Sequence, residues 1–295
     1  MVSQGGAMPN PYMKGGKPQL LESYCCYIDI LGFKKMIEQA KIDGKEKELL
    51  INLSNINKLI YRLGENNKID GANIYLKVFT DNIIIGSPVE HEQPLFLENE
   101  FAVLMDTLLQ YQLILALNGF FIRGGFTLGA LHISNKVVFG SSIVEAYVLE
   151  KDASFPRIVL SETLAQRINI HNDNYCSLLN KNSIPIENSY ILKDPADGKF
   201  YINYLFALLT YFYSNDDRWE KLNKHKKIVQ ENLIKYSEDL DTKAKYEWVG
   251  KYHNRFCKLI KADDVFKTFY SKDMEIAPEL VSTQPRPLTG NGAAL

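Results

Sequence analysis

The sequence predicts an α+β fold, with helices packed on one face of a mainly antiparallel sheet in the manner of a ferredoxin-like sandwich. Three observations carry this. "ANIYLKVF" and "NIIIGSP" are β-rich runs separated only by Thr80 and Asp81, the spacing of a tight hairpin. Helical periods interrupt the strands in the order β-α-α-β-β-α-β-(β)-α-β-α, without strict alternation of parallel units. From about residue 196 the chain turns helix-rich, with lysines and glutamates scattered among aromatics.

The first strand is expected in "ESYCCYIDIL", rich in Tyr, Ile and Cys, followed by a short helix in "FKKMIEQAK". "KEKELLINLSNINKLIYRLGE" places Leu49, Leu50, Leu53, Ile56, Leu59 and Ile60 at a helical period. After the hairpin, "LFLENEFAVLMDTLLQYQLILALNG" reads as a long helix capped by Asn118-Gly119. "FFIRGGFTLGALHIS" and "KVVFG" read as strands, "SSIVEAYVLEKDA" as a helix, and "PRIVLSETLAQRI" as a strand entering a helix capped by Ser161. "YINYLFALLTYFY", residues 201–213, is too short to span a membrane and fits a buried helix. The helices beyond it form an appended subdomain or a dimerisation element. Residues 1–21 are expected as a disordered leader and 271–295 as a disordered tail, leaving an ordered domain over 22–195 and a helical extension over 196–270.

At 295 residues the chain can bury a sizeable core. It has 34 basic and 35 acidic residues, so no global field draws it to nucleic acid or a membrane. The polar, Gly/Pro-rich start lacks the apolar stretch of a signal peptide. Cys25 and Cys26 are adjacent and point to opposite faces of a strand, and no C-x-x-C pair suggests structural zinc. These features fit a cytoplasmic protein with reduced thiols.

Asp29 is the first polar oddity, a carboxylate between Ile28 and Ile30 in an apolar run. Burial of a carboxylate is costly without a neutralising partner. Asp81 stands at the tip of the hairpin. Magnesium held by both carboxylates and by substrate phosphates would offset both costs; the alternative is a buried hydrogen-bond acceptor and an ordinary turn residue. Arg123, ahead of two glycines, and Lys77, four residues before Asp81, would add two cations to the same sheet. This is the composition of a nucleoside-triphosphate site, yet neither a P-loop nor a Rossmann glycine pattern is present.

Three strings together resemble the class III nucleotidyl cyclases. "YIDILGFKKM" is similar to their first metal motif, "LKVFTDNIII" to their second, and "FIRGGFTLGALHIS…VVFGSSIVEAYVLE" to their arginine-glycine strand and the helix after it. The resemblance covers about residues 22–165 and makes 22–195 a class III cyclase-like catalytic domain. It implies two Mg2+ or Mn2+ ions held by Asp29, Asp81 and the Ile30 carbonyl. It also implies a triphosphate wrapped by the Ile30–Leu31–Gly32–Phe33 turn and paired with Arg123, a base read by Lys77, and a homodimer whose chains complete each other's sites. The implied reaction closes a 3′,5′-cyclic nucleotide and releases pyrophosphate.

The departures narrow the resemblance. The usual purine cyclases carry a transition-state asparagine and arginine where this chain has Val144 and Val148, and a base-reading residue where it has Val137. The bacterial pyrimidine cyclases of the Pycsar antiphage systems share this pattern, including an A-Y-x-L-E helix (Ala146–Glu150 here) and a helical C-terminal extension. That branch implies cyclic UMP or cyclic CMP, with UTP favoured over CTP as substrate, and a separate effector protein activated by the product. Arg157, Ser141 and Tyr147 are the polar groups nearest the emptied positions, any of which could replace the missing arginine, and Tyr147 is included among the substrate contacts. Glu145 and Glu150 read as a solvated face or local ion pairs. His132, His171, His225 and His253 show no ligand spacing. Competing readings are a divergent adenylyl or guanylyl cyclase, an inactive nucleotide-binding sensor, and a palm-type polymerase or diguanylate cyclase, the last opposed by the absence of a G-G-D/E-x-F signature.

Overall fold

The computed structural model describes residues 10–66, 74–89, 99–178, 190–209 and 214–281. The strands are β1 (Met13–Lys14), β2 (Lys17–Pro18), β3 (Leu21–Ile30), β4 (Tyr75–Phe79), β5 (Asn82–Pro88), β6 (Ile122–Ile133), β7 (Val138–Phe139), β8 (Ile158–Leu160), β9 (Ile191–Lys193) and β10 (Phe200–Ile202). The helices are α1 (Phe33–Ile42), α2 (Glu46–Asn66), α3 (Asn99–Leu117), α4 (Ser141–Asp152), α5 (Glu162–Leu178), α6 (Asn215–Lys235) and α7 (Leu240–Ala262). The main sheet runs β4-β5-β3-β6-β8-β10-β9, with β7 paired to β6; only β6 and β8 lie parallel. This is the α+β architecture expected, a mainly antiparallel sheet carrying helices.

Alternation along β3 sorts its side chains between two faces. Tyr24, Cys26, Ile28 and Ile30 point into the main core, where Ile83, Ile85, Ile122 and Phe126 join them against α3. Each such aliphatic side chain contributes roughly 1.5–3 kcal/mol by leaving water. Helix α3 is buried on nearly all sides, with Leu104, Leu108, Leu109, Tyr111, Leu113 and Leu115 all sealed from solvent. By length and composition its window Glu100–Leu117 could cross a membrane, yet 78% of it is buried inside the fold, as a core helix is. It ends where expected, with Gly119 in the left-handed region at φ 82°.

The opposite face is not bare, contrary to the expectation of helices on one side only. Helix α4 lies across β3 and β6, and Ala146 joins a smaller cluster with Tyr12, Cys25, Leu131 and Ile133. Gly125 permits this: a Cβ there would stand 2.3 Å from the Ala146 carbonyl oxygen and 2.7 Å from Leu149 Cβ.

Two expected boundaries are corrected. Residues 10–21 of the expected leader form the β1–β2 hairpin and the entry to β3. Buried Tyr12 anchors them by donating its hydroxyl to Ser23 Oγ at 2.9 Å. Residues 271–281 of the expected tail close over α7, burying Ile276 and Val281. Residues 1–9, 210–213 and 282–295 lie outside the described residues. Within 201–213, the expected helix is instead the end of β10 followed by a 3-10 segment, Tyr204–Leu209, because Phe200–Ile202 pairs with both β8 and β9.

The α6–α7 hairpin shares the main core through Leu222, Val229, Tyr246, Val249, Tyr252 and Phe256, so no break in packing falls near residue 196. Tyr252 donates to Asn203 Oδ1 at 2.7 Å and accepts from the Leu205 N–H at 2.8 Å. Beside it a buried polar chain has its protons fixed by its ends. His253 Nε2 must donate to the Met274 carbonyl at 2.9 Å, so its Nδ1 accepts from His225 Nδ1–H at 3.0 Å. His225 Nε2 then accepts from the Tyr204 hydroxyl at 2.7 Å.

Burial holds both imidazoles neutral, pushing His225 well below its ordinary value and His253 down to about 4. The unfolded chain takes up these protons near pH ~6.5 and the folded chain does not, so this stability is complete above about pH 6.5 and is lost as pH falls towards 4. Urea unfolding is expected to show stability falling between about pH 6.5 and pH 4 by up to about 1.4 kcal/mol per pH unit for each histidine. His253→Gln should flatten that decline; an equally steep decline in the variant would contradict the assignment.

Candidate active site

The site lies at one end of the three central strands. Antiparallel register sets Asp29 of β3 between Asn82 of β5 and Arg123 of β6, and Asn82 in turn opposes Phe79 of β4. Directly paired residues share a face, and this row lies on the α4 side of the sheet. Arg123 Nε donates to Asp29 Oδ2 at 3.2 Å. Glu150, at the end of α4, brings Oε1 within ion-pair distance of the same nitrogen but off its N–H direction, so it holds Arg123 by charge. Its side chain is only 4% exposed. The expectation of a solvated Glu150 is therefore corrected: α4 docks on Gly125 with its last turn facing inward.

Asp81 follows Thr80 in the two-residue connection between β4 and β5. Thr80 has φ 55°, a left-handed conformation uncommon for a β-branched residue. Its hydroxyl donates to Asp81 Oδ1 at 2.8 Å, and Asn82 Nδ2 donates to the same oxygen at 3.1 Å. The Tyr27 hydroxyl donates to Asn82 Oδ1, completing a relay from β3 to the hairpin tip. The Asp81 carbonyl accepts the Ile30 N–H at 3.2 Å, which locks the hairpin tip to the end of β3.

The electrostatics reflect crowded acids. Burial pushes the Asp29 carboxyl above its ordinary range; the Arg123 charge and hydrogen bond oppose that, and Asp81 adds to it. Glu150 is raised by burial first, opposed by Arg123 and reinforced by Asp29 and Asp81. Burial, then Glu150, Asp29, Tyr147 and Asp81, pushes Tyr27 up to about 12. The donor set is hard oxygen. Among the described residues no three His, Cys, Asp or Glu side chains gather as a closed metal cage. Two carboxylates with open positions suit magnesium or manganese, which keep water and take substrate oxygens. The residues thus fit such an ion, with Asp29, Asp81 and the Ile30 carbonyl as its candidate ligands.

The turn after β3 differs in detail from the expected cradle. The Ile30 N–H is spent on Asp81, and the Leu31 N–H donates to the Phe121 carbonyl at 2.8 Å. Gly32, at φ 72°, caps α1, and the N–H groups of Gly32, Phe33 and Lys34 have no backbone acceptor among the described residues. Any anion cradle is thus shifted by two residues, to Gly32–Lys34.

Other expected residues are scattered. Lys77 sits one row further along the sheet, opposite Ile84, and its Nζ donates to the Asn135 carbonyl at 2.9 Å rather than to either acid. Tyr147 is partly exposed, its ring edge-on to Tyr27 at 5.5 Å and beneath Lys151 Nζ at 4.7 Å. Val137, Val144 and Val148 are exposed. Arg157 is 1% exposed, paired with Asp194 and Asp197 among Phe155, Tyr201 and Trp248. It is a structural cation and cannot replace a transition-state arginine.

No family model matches the chain, and no curated protein does. Solved structures with a similar arrangement include the adenylyl cyclase CyaB from P. aeruginosa, at 14% identity and TM-score 0.40 over 62% of this chain and 93% of that one. The catalytic core of a rhodopsin-guanylyl cyclase with converted specificity, in complex with ATPalphaS, gives 13% and 0.41 over 62% and 96%. The guanylyl cyclase Cya2 gives 13% and 0.38 over 62% and 90%. At these values the likeness carries no argument about activity or ligand.

Asp81→Asn removes a like charge beside Asp29, so in metal-free buffer the variant is expected to melt no lower than the unaltered protein. Millimolar Mn2+ should raise the melting temperature of the unaltered protein alone, by the mass action of binding to the folded state. An equal rise in both would show that Asp81 does not contact the ion.

Proposed function

We propose that this protein is a metal-dependent nucleotidyl cyclase acting on a pyrimidine nucleoside triphosphate, UTP before CTP. The observation that carries the reading is the pair of carboxylates, Asp29 at the end of β3 against Arg123 and Asp81 on the adjoining hairpin turn. Asp29, Asp81 and the Ile30 carbonyl would hold Mg2+ or Mn2+, two ions per site, which would supply a lowered pKa at the ribose 3′-hydroxyl and neutralisation of charge on the triphosphate and leaving pyrophosphate. The chain's own residues orient the reactants. Gly32, Phe33 and Lys34 N–H groups face the phosphates, and Arg123 pairs with the outer ones. The 3′-hydroxyl gives its proton to solvent water as its oxygen attacks the α-phosphorus in line, the bond to the bridging oxygen breaks, and pyrophosphate leaves with that electron pair.

The pyrimidine assignment rests on apolar Val137, Val144 and Val148, where the purine cyclases it resembles carry polar groups. Phe79, paired with Asn82, and Val144 and Val148 of α4 are 76%, 62% and 49% exposed. Such a patch supports a homodimer in which a second copy covers this face and completes the base pocket. The product would act as a cytoplasmic messenger on a separate effector protein in antiphage defence. A second reading, an inactive nucleotide-binding sensor, is favoured by the same valines and opposed by retention of both acids.

The test is incubation with each of the four ribonucleoside triphosphates and Mn2+, with product identification by mass spectrometry. The expected product is cyclic UMP or cyclic CMP with pyrophosphate. Asp29→Ala and Asp81→Ala should abolish it, and Arg123→Ala should lower the rate by about 10²–10³-fold. Turnover of ATP or GTP alone would sink the pyrimidine assignment, and binding without any turnover would favour the sensor.

A further inference from the structure

Arg123 is held from one edge. Its Nε donates to Asp29 Oδ2 at 3.2 Å and lies 2.5 Å from Glu150 Oε1, so two carboxylates converge on a single nitrogen. Neither Nη group donates a hydrogen bond among the described residues, and the side chain is 29% exposed. The planar fork of the guanidinium, the part that matches phosphate oxygens two at a time, is left open.

Glu150 is poorly explained as a stabilising residue. Almost fully buried, it stands in the last turn of α4, where the carbonyl end of the helix disfavours a carboxylate, and its Oε1 accepts no hydrogen bond. Arg123 is its only ion-pair partner among the described residues; Lys151, next in the chain, lies over the Tyr147 ring instead. The backbone sets its place. Gly125, two residues beyond Arg123 and on the same face of β6, takes α4 so close that an added Cβ would stand 2.7 Å from Leu149 Cβ. The Ala153 N–H closes the turn on the Leu149 and Glu150 carbonyls at 2.9 and 3.1 Å. A docked helix end thus delivers the carboxylate to Arg123.

With Glu150 removed, Asp29 would be the sole anion paired with this guanidinium. A two-bonded pair with Asp29 would spend the phosphate-facing donors of the arginine together with the carboxylate assigned to the metal. Glu150 competes for the same nitrogen, and the Arg123–Asp29 contact remains a single bond of 3.2 Å.

We propose that Glu150 is a positioning residue for substrate binding: by anchoring the Nε edge of Arg123, it keeps the guanidinium from closing on Asp29 and presents the Nη fork to the outer phosphates. The inference deepens the nucleotide reading above and rests on it. It carries a distinctive sign, because an acid beside the site then strengthens the binding of a polyanion that its bare charge would repel.

The test is calorimetric titration, with Mg2+ present, of inorganic tripolyphosphate and of 3′-deoxyuridine and 3′-deoxycytidine triphosphates, which lack the attacking hydroxyl. Unaltered protein, Glu150→Gln, Arg123→Lys and the double variant are compared, with a melting temperature for each. Glu150→Gln is expected to weaken both kinds of ligand by about tenfold while melting no lower than the unaltered protein. In the Arg123→Lys background, which keeps the charge but has no fork to orient, Glu150→Gln should leave binding unchanged or tighten it. Unchanged or tighter binding in Glu150→Gln alone would overturn the positioning role. So would a loss accompanied by a lower melting temperature, or one repeated to the same extent in the Arg123→Lys background. An unaltered protein that binds none of these ligands would overturn the nucleotide reading and the positioning role with it.

Discussion

A carboxylate at the end of a central strand is the constraint around which this protein is arranged. Asp29 is flanked by β5 and β6, its side chain 18% exposed, and burial works against its charge. The fold brings one guanidinium to it, from Arg123, and then sets two further acids nearby, Glu150 against the same arginine and Asp81 on the adjoining hairpin. One cation among three carboxylates leaves an excess of negative charge, which pushes Asp29 and Glu150 towards the protonated form and which an added cation would relieve. A core built for stability alone would place apolar residues there.

The surrounding architecture serves that arrangement. Gly125 lets α4 approach closely enough for Glu150 to reach Arg123. Thr80 is held in a left-handed conformation so that the hairpin can turn in two residues and return its Asp81 carbonyl to Ile30. The large core on the far face, with α3 at its centre, fixes the strand ends that these residues occupy. The buried His225–His253 pair does the same for the C-terminal hairpin, by tying α6, α7, the 3-10 segment at Tyr204 and the Met274 region together.

Asp29, Asp81 and Arg123 were legible in the sequence because each breaks a strand pattern: a charge in an apolar run, at a hairpin tip, or before paired glycines. Glu150 was not, since a glutamate at the end of an amphipathic helix looks the same whether its last turn faces water or a sheet. Strands β9 and β10, of three residues each, are too short to leave a period. Arg157 was misread because sequence proximity to α4 says nothing of the acids at 194 and 197 that receive it.

The claim that the acids are assembled to hold divalent metal with a polyphosphate is most directly tested by electron paramagnetic resonance of Mn2+, counting bound ions per chain. The account predicts about two ions per chain with a 3′-deoxynucleoside triphosphate present, and loss of binding in both Asp29→Asn and Asp81→Asn. No bound Mn2+ in the unaltered protein, or the same count in either variant, would contradict it.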